Sequence, residues 1–69
     1  MISYILKFTY PPYTGYETYR NYDMQFEEDT EEEALIFIER FLTDNGFTKT
    51  SDGTWFCKEF GAKCNVVKE

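Results

Sequence analysis

The sequence predicts an α+β domain: a small antiparallel sheet in the order ββαβββ with one helix packed across one face. Three observations lead there. Residues 2–10 follow a period-two alternation, with large apolar side chains at every even position, the signature of a strand with one buried face. Residues 30–46 carry a complete set of helix start and stop signals. The last third is cut by Gly into short runs rich in strand-forming residues.

In the first strand Ile2, Tyr4, Leu6, Phe8 and Tyr10 share one face, alternating with Ser3, Ile5, Lys7 and Thr9. Pro11-Pro12 stops it, and Tyr13-Thr14-Gly15 supplies a loop. A second strand from about Tyr16 to Phe26 pairs back as a hairpin. Tyr22, Met24 and Phe26 suit the core, and Glu17, Tyr19, Asn21, Asp23 and Gln25 suit water.

The helix begins at Thr30, an N-cap that forms a capping box with Glu33. Glu31, Glu32 and Glu33 place negative charge in the first turn, where the helix dipole favours it by about 0.3–1 kcal/mol each. Ala34, Leu35, Phe37, Ile38, Phe41 and Leu42 predict a broad apolar face. Asn45-Gly46 ends the helix, with Gly in a left-handed C′ conformation and Phe47 folding back on the last turn. Strands follow at Phe47–Thr50, Thr54–Phe60 and Ala62–Lys68, separated by a Ser51-Asp52-Gly53 turn and by Gly61. The adjacent Trp55 and Phe56 must face opposite sides of the sheet.

A chain of 69 residues is read as one domain, 1–69. At this size only about 60% of the unfolded chain's surface is buried, so stability is thin. Seven Phe, six Tyr and one Trp offset that, since each aromatic ring buries about 150–250 Å². Neither a metal nor a disulfide framework is then required. The N-terminus, Met-Ile-Ser-Tyr-Ile-Leu-Lys-Phe, has no basic n-region and no long apolar run, which points to the cytosol of a cell or host cell.

The residues that carry chemistry are sparse. Without His, Ser-His and Cys-His nucleophile pairs are excluded. Ser3 and Ser51 have no evident activating base, and the chain is expected to be non-enzymatic. Cys57 and Cys64 are too widely spaced for a zinc knuckle and lack a second ligand pair. Glu27-Glu28-Asp29 lacks the ligand spacing of a calcium loop, and no Gly-rich phosphate loop is present, so no metal and no cofactor are expected. The two cysteines read as reduced, small apolar side chains. A two-residue turn at Phe60-Gly61 would instead set them directly opposite each other, near disulfide distance.

Two features exceed what folding requires. Between Asp23 and Glu39 lie Asp23, Glu27, Glu28, Asp29, Glu31, Glu32, Glu33 and Glu39 with no basic residue. Helix capping accounts for some of these charges, but the mutual repulsion of the set costs stability. Tyr10, Tyr13, Tyr16, Tyr19 and Tyr22 recur at every third position, a period that fits neither strand nor α-helix. Some must be exposed, and Tyr is enriched where proteins bind one another. The candidate partner-binding residues are therefore Asp23, Glu27, Glu28, Asp29, Glu31 and Glu32, with Tyr13, Tyr16 and Tyr19.

The net charge is −6, and the cations Lys7, Arg20, Arg40, Lys49, Lys58, Lys63 and Lys68 are scattered, so direct nucleic-acid binding is disfavoured. A protein or nucleoprotein complex with a basic surface is the natural partner. In size, charge and lack of catalytic residues, the chain resembles small phage-encoded anti-defence inhibitors of the anti-CRISPR and DNA-mimic antirestriction types. That resemblance is one of whole-chain composition and assigns no role to any residue. It implies a host-cell cytosol and, as target, a nuclease or nucleoprotein complex whose nucleic-acid-binding surface is blocked. The alternative is a scaffold or assembly domain that homodimerises through a sheet edge or its free face.

Overall fold

The computed structural model describes residues 1–12 and 18–69. The order is β1 (Ile2–Tyr10), β2 (Arg20–Glu28), α1 (Glu31–Asp44), β3 (Phe47–Lys49), β4 (Trp55–Cys57) and β5 (Ala62–Lys68). The strands form one five-stranded antiparallel sheet, ordered β2-β1-β5-β4-β3, with α1 on one face. The ββαβββ arrangement is therefore present. The helix carries the chain from one sheet edge to the other, and β3, β4 and β5 step back to close against β1.

β1 behaves as its alternation requires: Tyr4, Leu6 and Phe8 are buried, and Ile2 and Tyr10 pack against the same core. β2 begins at Arg20, later than the alternation suggests, and Tyr16 and Glu17 lie outside the described residues. Its register sets Tyr4 against Phe26, Leu6 against Met24 and Phe8 against Tyr22, so the even residues do face the helix side. They are not core, however: Tyr22 is 48% exposed and Met24 40%. Their strand lies at the sheet edge, and the helix covers only its Phe26 end, where Phe26 packs on Phe37 and Phe41 at 5.3 and 5.4 Å.

The Thr30 side chain caps α1, accepting from the Glu33 N–H at 3.2 Å. The helix buries a narrower stripe than expected. Ala34, Ile38 and Leu42, spaced four apart, are buried and Phe41 is half-buried, but Leu35 and Phe37 are about half exposed. Leu35 and Phe37 flank that line on either side, where the sheet covers less of the helix. At the C-terminus Asn45 Nδ2 donates to the Phe41 carbonyl at 2.8 Å. Gly46 then takes φ 85°, the left-handed conformation that favours glycine, and turns the chain so that Phe47 enters the core. Glu31 anchors the other end: Tyr4 Oη donates to Glu31 Oε1 at 2.8 Å, and Lys68 Nζ lies 3.3 Å away.

The β3–β4 turn is built on Asp52. Its carboxylate accepts from the Thr54 N–H at 3.0 Å and from the hydroxyls of Thr50 and Thr54. These bonds hold the Asp52 carboxyl down at about 2, against an ordinary 3.8. A depressed folded-state value stabilises the fold above the unfolded value and stops doing so as pH falls through the folded one. Asp52→Asn is thus expected to lower the melting temperature at neutral pH. It should also shrink the further loss that the wild type suffers as pH falls from 3.8 to about 2, read by thermal unfolding across that window.

The strand expected at Thr54–Phe60 ends at Cys57, because residues 58–61 form the turn into β5. Cys57 therefore pairs with Ala62, and Cys64 with Trp55. The two cysteines are diagonal rather than opposite, about 7–8 Å apart for such neighbours, and both thiols are free and buried. Burial pushes the Cys64 thiol up to about 11, so it packs as a small apolar group.

Candidate functional site

The nine-residue strand β2 is an edge, and among the described residues nothing pairs with its outer side. The opposite edge, β3, has three residues and carries Lys49, whereas the middle of β2 has no charge on its helix-facing row. Edges are ordinarily kept short or charged to prevent strand addition, and β2 is neither on that row.

Beside this row runs an apolar groove of about 370 Å³. Buried Phe8 and Phe47, in edge-to-face contact at 5.6 Å, lie within it; Tyr22 and Met24 line the strand side and Phe41 the helix side. Phe60 also lines it, from the turn between β4 and β5, and is 60% exposed. At one end Tyr10 packs edge-to-face on Tyr22 at 5.5 Å, and the Arg20 guanidinium lies 5.7 Å from the centre of the Tyr10 ring. Burial raises the Tyr10 hydroxyl above its ordinary value.

The acidic residues divide between two places. Asp23 and Glu27 stand on the open face of the sheet, the face without the helix, flanked by Asn21 and Gln25. Glu28 is partly buried at the end of β2, and Asp29, Glu32 and Glu33 are exposed around the start of α1. Gln25 Nε2 donates to Glu27 at 3.2 Å and to Glu69 at 3.1 Å, gathering further negative charge on that edge. Among the described residues only Glu31 of this set is ion-paired. Its bonds to Tyr4 and Lys68 hold its carboxyl below the usual range, so Glu31 ties helix to sheet rather than standing free for a partner.

Of the tyrosines proposed for contact, Tyr19 is 63% exposed at the entry to β2, while Tyr13 and Tyr16 lie outside the described residues. Sequence reasoning missed Met24, Ile36, Phe37 and Phe60, all prominent in the exposed apolar surface. One signal was available. Leu35-Ile36-Phe37-Ile38 sweep most of a helix turn, so a helix lying on a sheet cannot bury them all.

Among the described residues no cluster of three or more His, Cys, Asp or Glu side chains is placed to hold a metal ion, and no helix is long and apolar enough to cross a membrane. No protein-family model, curated protein or solved structure matches the chain.

Proposed function

We propose that the chain is a non-enzymatic protein-binding inhibitor or modulator that occupies a basic, nucleic-acid-binding surface of a larger nuclease or nucleoprotein complex. The observation that carries this reading is the placement of excess acid: Glu27, Asp29 and Glu32 are exposed along β2 and the start of α1 without an ion pair among the described residues, and Asp23, opposite Lys7 of β1, is exposed beside them. Carboxylates in such a row attract a surface built for phosphates and speed the encounter. The exposed aromatics nearest these residues in the chain, Tyr19 at the entry to β2 and Phe37 on α1, supply the desolvated contacts that affinity needs. The chain acts by occupancy alone.

The test is affinity capture from bacterial lysate with the wild type beside the variant Asp23→Asn, Glu27→Gln, Asp29→Asn, Glu32→Gln, over a salt series. Glu31 is left intact because it holds the helix. The wild type is expected to retain a nucleic-acid-binding protein that rising salt releases, and to displace that protein's nucleic acid in competition. The variant should do neither. Equal capture by both proteins, or a partner that keeps its nucleic acid, overturns the reading.

A further inference from the structure

We propose that two copies of the chain join antiparallel through β2, forming a continuous ten-stranded sheet from five strands each, with both helices on the same side. Among the described residues the outer edge of nine-residue β2 leaves its backbone N–H and C=O groups unpaired, beside Tyr22 and Met24, 48% and 40% exposed, which its own helix does not cover; Phe26 continues the row at the covered end.

Symmetry then limits the pairing. A two-fold axis perpendicular to the sheet keeps the helix faces together, and directly opposed residues in an antiparallel pair point to the same face. Even residues of β2 therefore meet even residues of the second copy. Centred on Met24, this pairing aligns the whole of Arg20–Glu28 with itself. Arg20 then opposes Glu28, Asn21 opposes Glu27, Tyr22 opposes Phe26, Asp23 opposes Gln25, and Met24 meets its own copy. Each pair is complementary: ion pair, amide with carboxylate, aromatic with aromatic. Moving the centre by one residue sets Asp23 on Asp23 in one direction and Asp23 on Glu27 in the other. Like charges directly opposite destabilise a sheet, so the adjacent registers are disfavoured.

The pattern also explains why residues patterned for a core are half-exposed in the single chain: a second copy completes their burial. Asp23 and Glu27 remain on the open face, where four carboxylates from two copies would border the seam. The seam stands whether or not that acidic strip meets a basic partner.

Sedimentation equilibrium of the full chain tests it, from low micromolar to millimolar concentration. The expected mass rises from 8.3 kDa towards twice that value. Met24→Lys, which sets two ammonium groups together at the axis, should weaken association by about tenfold or more. Arg20→Glu and Glu28→Arg should each weaken it, and the double variant R20E/E28R should restore it. Circular dichroism melting of each variant checks that the single-chain fold survives. A monomer at every concentration overturns the proposal, and so does a dimer indifferent to Met24→Lys. Partner capture is a separate readout: its variant keeps Arg20, Met24 and Glu28 but alters the seam residues Asp23 and Glu27, so its sedimentation is measured too, and lost capture with an unchanged dimer distinguishes the two readings.

Discussion

Leu42→Ala is expected to destabilise the domain by about 2–5 kcal/mol, enough to unfold much of it. Leu42 is fully buried in the last turns of α1, in the core cluster with Leu6, Phe47 and Trp55. Removing its branched end forfeits transfer energy and leaves a cavity that a closely packed surrounding fills only in part. The total available is small: at roughly 0.05–0.15 kcal/mol per residue, a domain of this length has about 3–10 kcal/mol. Ile36→Ala, six residues earlier on the same helix and equally apolar, should change stability by no more than about 0.5 kcal/mol, since Ile36 is 57% exposed. Urea unfolding followed by far-ultraviolet circular dichroism measures both. Equal losses from the two would contradict the narrow buried stripe.

Trp55→Ala should cost about 3–5 kcal/mol. Trp55 is buried on the helix side of β4, near Ile38 and Val66, and is directly opposite Cys64. Its neighbour Phe56 is on the open face, partly exposed and opposite Lys63, so Phe56→Ala forfeits cross-strand contacts worth roughly 0.2–1 kcal/mol. Thermal unfolding of the two variants ranks them. Trp55, the only tryptophan, adds a check in the wild type: its fluorescence should be blue-shifted in the native state and move red on unfolding.

These contrasts mark where reading the sequence succeeds and where it stops. The capped helix and the alternation of β1 were legible because both are encoded within a few residues: Thr30 bonding Glu33, and even residues sharing a face. The same local patterning marked Tyr22 and Met24 as core and Leu35 and Phe37 as part of a wide buried face. Whether an apolar row is covered depends on the neighbouring elements, and here the helix crosses the sheet so as to leave the middle of β2 open. The candidate site was legible in part. Of the candidate acidic residues all but the partly buried Glu28 are exposed, but nothing local distinguishes Glu31, bonded to residues distant in the chain, from Glu32 beside it.

The sequence by itself determined the class of fold, the kind of each element, the ends of the helix and the face that β1 turns inward, because short-range sterics, capping and period-two or helical spacing settle these. Only the tertiary structure decided the rest: the order β2-β1-β5-β4-β3, the pairing of Cys57 with Ala62, the buried side of β4 and the exposure of the β2 edge. Those depend on which strands meet after α1 has carried the chain across the sheet. That choice is made by burial summed over contacts between residues far apart in the chain, which no local pattern records.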